Sequence, residues 1–282
     1  MNITQKAMLV HLKVSGWSGR RKDRQVTKEV NVSKKTSSDA GAWWTYLIPK
    51  KETNKIEVAA GRCRATHDRL TLPWLDGGIR ILPAKALFSY TAKMREVKAE
   101  YDAVIEDFLK HYDETVVSAK KRLGALAENV SYPSAKEIKS KFEITQEFIL
   151  MPSLSDFRVE VSEEDSKYLK EQVEQTISEG NKKASQELWN RLSELVEKVE
   201  GTLKEPDKKF KNSLIGNLKD FCKAIPDLNI MEDTNLESLR VQVKNKLTKL
   251  DPDNLRKNKK ERKTAHADAL AVLEKIKAYT NI

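Results

Sequence analysis

An apolar stripe runs through Leu87, Tyr90, Met94, Val97, Tyr101, Val104, Phe108, Tyr112, Val116, Ala119, Leu123 and Leu126. Its steps are all three or four residues, so these side chains share one helix face, and that face has to be buried. A second stripe, Leu169, Val173, Ile177, Ala184, Leu188, Leu192, Leu195, Val199 and Leu203, is about as long. Two such helices are natural partners. At 1.5 Å of rise per residue, roughly forty residues make a rod about 60 Å long. A rod of that length suits a strut or docking surface better than the wall of a small-molecule pocket.

The segments around the stripes predict a small sheet. Met8, Val10, Leu12 and Val14 alternate as in a half-buried strand over residues 7–14, which Gly16, Ser18 and Gly19 end. Residues 23–35 are read as a helix. Asp39 is expected to cap a short helix that carries Trp43, Trp44 and Leu47 and closes at Pro49, and another helix covers 52–69. Two short extended runs, 70–74 and 79–82, flank Asp76, Gly77 and Gly78, which is a hairpin signal. Pro83 is expected to open the first long helix, reaching Leu126. Alternation at 142–151 and at Phe157, Val159 and Val161 predicts two more strands, and Ser162 with Glu163, Glu164 and Asp165 marks the start of the second long helix. Shorter helices follow near 208–224, 234–250 and 252–280. The fold expected is α+β, predominantly α, with a long antiparallel helical hairpin, a small antiparallel sheet and a C-terminal helical region. The expected division is 1–205 and 206–282.

The net charge of +10 is unevenly spread. Residues 1–100 carry 20 Lys and Arg against 9 Asp and Glu, residues 101–200 carry 14 against 21, and the remainder 18 against 12. Basic ends around an acidic middle fit an anionic partner, either nucleic acid or an acidic protein face. No apolar run approaches the roughly twenty residues that cross a bilayer, so no membrane partner is expected. Cys63 and Cys222 lack metal-ligand spacing and are too few for a disulfide framework, which makes a reducing cytoplasm the expected compartment.

Enzyme motifs are missing from the sequence: there is no phosphate-binding loop, dinucleotide fingerprint, nucleophile elbow or zincin motif. His11, His67, His111 and His266 have no metal-binding spacing, and no cofactor is expected. The group His67 and Asp68 with Arg62, Arg64 and Arg69 reads as a solvated helix face, with a catalytic cluster as the alternative. The main candidate for recognition is Trp17 with Arg20, Arg21, Lys22 and Arg24, where a ring beside cations can stack while the cations hold phosphate or carboxylate. Alternatively, Trp17 plugs the core. A second candidate is the run Arg256, Lys257, Lys259, Lys260, Arg262 and Lys263, which has no aromatic residues among its cations and so would bind nonspecifically.

The segments Trp17-Ser18-Gly19-Arg20, Leu72-Pro73-Trp74-Leu75-Asp76-Gly77-Gly78, Arg80-Ile81-Leu82-Pro83-Ala84 and Ala267-Asp268-Ala269 resemble a DUF3150-like family of phage and plasmid proteins. Members of that family are often carried beside a MoxR or CobS-like AAA+ ATPase. The resemblance implies a phage origin and a helper role, with no catalytic residues to carry over. The function expected from the sequence is that of a non-enzymatic phage accessory protein. It would dock on a protein assembly, an AAA+ machine or a host defence complex, through its helical strut and basic surface. Nucleic-acid binding in phage replication or recombination is the alternative. The stripes set no oligomeric state, because three-four spacing serves pairing within and between chains equally.

Overall fold

The computed structural model describes residues 5–75, 77–128, 130–152 and 162–280. The chain is an α+β protein dominated by helix, with a small antiparallel sheet. In order the elements are β1 (Ala7–Ser15), β2 (Arg20–Asp23), α1 (Arg24–Lys34), β3 (Trp43–Tyr46), α2 (Lys50–Leu70), β4 (Leu72–Pro73), β5 (Ile79–Pro83), α3 (Leu87–Lys110), α4 (Tyr112–Leu123), α5 (Ala135–Lys139), β6 (Glu143–Ile149), α6 (Glu163–Leu203), α7 (Ser213–Leu228), α8 (Thr234–Lys246), α9 (Pro252–Lys257) and α10 (Lys259–Thr280). The main sheet runs β4-β5-β1-β6, and β2 and β3 form a separate two-stranded ribbon. Among the described residues no helix is long and apolar enough to cross a membrane.

The chain divides into two compact units, one of Met1–His11, Asp68–Tyr90 and Phe148–Ile282, the other of Leu12–His67 and Thr91–Glu147. In the first, β5 pairs antiparallel with β1 (Leu9 opposite Ile81) and with β4 (Leu72 opposite Ile81). The β4–β5 hairpin is the one expected, and its turn uses Gly77 at φ +92 and Gly78 at φ +82, angles that side-chain-bearing residues rarely adopt. Helix α6 begins as expected. The Ser162 hydroxyl accepts the Asp165 N–H at 3.1 Å, and three acids in the first turn face the positive end of the helix dipole.

Helix α6 is continuous for 41 residues and buries Ala184, Leu188, Leu192, Val196, Val199 and Leu203. These side chains pack chiefly on α10 and α7, in one core shared with α8 and α9. It also lies on β4, where the Trp74 ring rests against Gly180. The expected boundary near residue 205 therefore does not separate two cores, since Leu203 and Ile215 belong to the same one.

The second unit holds the other stripe from Met94 onward. Met94, Val97, Tyr101, Ile105 and Phe108 of α3 are buried, and the Cys63 thiol of α2 donates to the Val97 carbonyl at 3.4 Å. Ile105 takes the place expected for Val104. The expected helix 83–126 is not one rod. Pro83 ends β5, α3 starts at Leu87, the backbone leaves helical geometry at His111 (φ −104, ψ 9), and α4 stops where Gly124 adopts φ +55. The first stripe is broken into α3 and α4, and the second packs chiefly on α10 and α7, so the expected hairpin of two mutually paired rods is corrected. Residues 43–46 are also corrected, from helix to strand β3. The expected strand at Phe157, Val159 and Val161 lies outside the described residues.

Candidate nucleic-acid interface

The ribbon β2–β3 grows out of a glycine turn. Gly19 sits at φ +61, a Cβ there would come within 3.0 Å of the Thr53 methyl, and its carbonyl accepts the Leu47 N–H at 2.8 Å. That anchor sets the register, placing Arg20 opposite Tyr46, Arg21 opposite Thr45, Lys22 opposite Trp44 and Asp23 opposite Trp43. Asp23 closes β2 and caps α1, accepting the Val26 N–H at 3.0 Å and the Thr45 hydroxyl at 3.4 Å.

Side chains alternate across a strand, so Arg20, Lys22, Trp44 and Tyr46 share one face of the ribbon. On the opposite face Thr45 is buried while Arg21 and Trp43 (47%) are exposed; the first face has no buried side chain and is the outward one. Trp44 is 47% and Tyr46 41% exposed, unusual values for such rings. The Arg20 guanidinium lies over the Trp44 ring, 5.1 Å from its centroid. Among the described residues Lys22 and Arg24 form no ion pair. Cations continue past the ribbon end. Arg122 donates to the Tyr46 carbonyl at 2.5 Å, and the Lys120 ammonium lies 5.6 Å from the ring centroid of Tyr132, whose hydroxyl donates to the Leu47 carbonyl at 3.1 Å. Chemically this is a surface of open rings flanked by unneutralised cations. It can stack planar groups while holding negative charge beside them.

The other expected residues fall in different places. Trp17 is half-buried and sets its edge against Tyr112, with centroids 6.1 Å apart and planes at 76°. Its role is packing, and Trp44 is the ring that partners Arg20. Arg21 is exposed on the opposite face of the ribbon, and Arg24 opens α1.

The C-terminal run is largely structural at its two arginines. Arg262 is 4% exposed and donates to the carbonyls of Thr202 (2.7 Å), Leu203 (3.3 Å), Glu205 (2.5 Å) and Lys208 (3.1 Å). It thereby satisfies carbonyls that the end of α6 leaves without helical partners. Arg256 donates to Asn212 and to the Phe210 carbonyl, and both guanidiniums stack on Phe210. Lys259 pairs with Asp207 at 3.6 Å, while Lys257, Lys260 and Lys263 are exposed. The expected surface thus loses Arg262 to the interior.

In the first unit a cavity of about 560 Å³ is lined by Arg69, Arg80 and Arg191 together with Asp68, Glu187, Glu194 and Asp220. Arg80 donates to the Thr71 hydroxyl at 2.7 Å and pairs with Asp68 at 3.4 Å, and Arg191 pairs with Glu187 at 2.7 Å. Burial lowers the Arg80 guanidinium pKa, partly offset by Asp68. This pocket is internally neutralised, unlike the ribbon. Burial also pushes the Cys63 thiol up and the Cys222 thiol to about 11, so neither is a ready nucleophile. Among the described residues no group of acids, histidines and cysteines is arranged to hold a metal.

Sequence reasoning found Arg20 and Lys22 but not the rings they serve, because Trp44 and Tyr46 were assigned to a helix. The period-two spacing of Trp44 and Tyr46, after the loop residues Ser37, Ser38, Asp39 and Gly41, is the signal that points to a strand. Comparison with known proteins finds no matching family model, no matching curated protein and no matching solved structure.

Proposed function

We propose that this protein is a non-catalytic nucleic-acid-binding protein that holds single strands on the outward face of β2–β3. The observation that carries the reading is the exposed set Arg20, Lys22, Trp44 and Tyr46, in which a guanidinium already lies over an open indole. Stacking on a ring needs an unpaired base whose face is free, which favours single strands over duplex, and the flanking cations suit the phosphates. Base–aromatic stacking contributes about 1–3 kcal/mol per base. The test is fluorescence anisotropy with a labelled oligothymidylate and with the matching duplex. Tighter binding of the single strand, weakened by Trp44→Ala, supports the reading, and equal or tighter binding of the duplex contradicts it.

Docking on a protein assembly is a second reading. One observation favours it. Among the described residues β6 is the last strand of the sheet, and at its end Phe148, Ile149 and Leu150 are exposed, Leu150 at 84%. Apolar side chains on an edge strand suit a partner that adds a strand. Substituting Leu150 with Glu would abolish capture of such a partner and leave oligonucleotide binding unchanged.

A further inference from the structure

We propose that the hollow alongside α1 is a phosphate-binding subsite. Arg24, Lys28, Asn31 and Lys35 follow one another in steps of four, three and four, so they form a single stripe down the helix. The loop beyond brings Thr36 and Ser38 to the same stripe, and together they border a concavity of about 380 Å³. The loop is tied to the helix by Asn31, whose amide donates to the Ser38 carbonyl at 3.4 Å and whose carbonyl oxygen accepts the Thr36 hydroxyl at 3.4 Å. Among the described residues no carboxylate lines the hollow. The acid on α1, Glu29, accepts a hydrogen bond from Gln25 at 3.2 Å, and Asp39 is held by Ser37. Three cations and the Ser38 hydroxyl, with no carboxylate in the lining, make a surface for tetrahedral oxyanions.

Lys35 closes the stripe. Lys35 ends the helix in the left-handed region, at φ 53 and ψ 42, and its N–H donates to the Val32 carbonyl at 3.1 Å. Glycine is the usual residue at such a helix end, because a Cβ is strained there. A lysine in that position keeps a strain that glycine would relieve. Here it puts an ammonium at the rim of a cationic hollow.

The phosphates come either from a strand lying on the ribbon or from a free polyphosphate. The first source rests on the nucleic-acid reading above; the subsite itself does not. The probe is inorganic tripolyphosphate, titrated calorimetrically at low salt against the full chain. Lys28→Gln with Lys35→Gly is expected to weaken tripolyphosphate binding at least tenfold, whereas Lys182→Gln, an exposed lysine on α6, leaves it unchanged. Lys35→Gly alone should weaken binding several-fold while raising the melting temperature, which separates loss of the site from loss of the fold. Unchanged binding in the double variant, or an equal loss in Lys182→Gln, overturns the proposal.

Oligothymidylate then identifies the source. If strand phosphates occupy the hollow, the double variant lowers the salt-dependence slope by about 1.4, two cations at roughly 0.7 each. If free polyphosphate is the ligand, the slope stays and only tripolyphosphate binding falls. Trp44→Ala without effect on the oligonucleotide contradicts the ribbon reading and leaves the tripolyphosphate result standing.

Discussion

Replacing Gly180 with alanine tests the packing of α6 on the β4–β5 hairpin. A Cβ at that position would stand 2.1 Å from Trp74 Cζ3 and 2.2 Å from Cε3. Carbon atoms pack at roughly 3.5–4.0 Å, so the ring would have to retreat by more than an ångström. Trp74 is only 2% exposed and has nowhere to go without opening the core. Overpacking of this kind costs roughly 1–3 kcal/mol or more, while alanine in a helix interior gains about 1 kcal/mol over glycine. An overlap this deep against a buried ring puts the cost at the upper end, about 3 kcal/mol, so the balance is a loss of about 2 kcal/mol. Gly201 supplies the control on the same helix: a Cβ there meets nothing within 4 Å, so Gly201→Ala should stabilise by roughly 0.5–1 kcal/mol. At about 2–4 °C per kcal/mol for a unit of this size, the two variants should melt roughly 5–10 °C apart. Urea unfolding followed by helical circular dichroism and tryptophan emission reads the difference. Combining Gly180→Ala with Trp74→Leu should cost less than the sum of the single changes, because the smaller side chain removes the clash. Equal stability of Gly180→Ala and Gly201→Ala would refute the placement of Trp74 on α6.

Arg262→Met should destabilise by roughly 3–5 kcal/mol, since it leaves buried carbonyls at the end of α6 without donors; a loss under about 1 kcal/mol in urea titrations would contradict the capping role. Arg262→Lys should fail to restore stability, because one ammonium does not reach four carbonyls. Burial raises the phenols of Tyr101 and Tyr112 to about 12 and that of Tyr90 further still. Above pH 10 the unfolded chain releases phenolic protons that the folded chain retains, so stability falls as pH rises from about 10 to 12. Absorbance at 295 nm should therefore show a late phenolate step that coincides with loss of helix, and complete ionisation by pH 10.5 with helix intact would count against it.

Much of the first unit was legible in the sequence because its signals are local. The cap at Ser162, the period of α6 and the paired glycines 77 and 78 each fix a conformation without reference to distant residues. What a stripe does not say is which element covers it. Both α6 and α3 read as faces to be buried, and nothing in their spacing selects α10 for one and α2 for the other. The ribbon was hidden for a different reason. Arg20-Arg21-Lys22-Asp23 has no apolar alternation, so its strand exists only by pairing with Trp43–Tyr46 and through the Gly19 turn. Asp39 drew the opposite assignment, because an acid ahead of an apolar run is equally a helix start and a loop residue. Arg262 was misplaced because a charged run looks solvated until the end of another helix, some sixty residues away, is seen to need its donors.

The most direct measurement is the affinity of oligothymidylate for the wild-type chain, Trp44→Ala and Arg20→Ala at two salt concentrations. The account predicts that Trp44→Ala weakens binding about tenfold at both, near 1.4 kcal/mol of lost stacking, with the salt slope unchanged. Arg20→Ala should weaken binding and lower the slope. Binding that is insensitive to Trp44→Ala, or that vanishes for every variant and the wild type alike at moderate salt, would contradict the claim that the β2–β3 face recognises single strands.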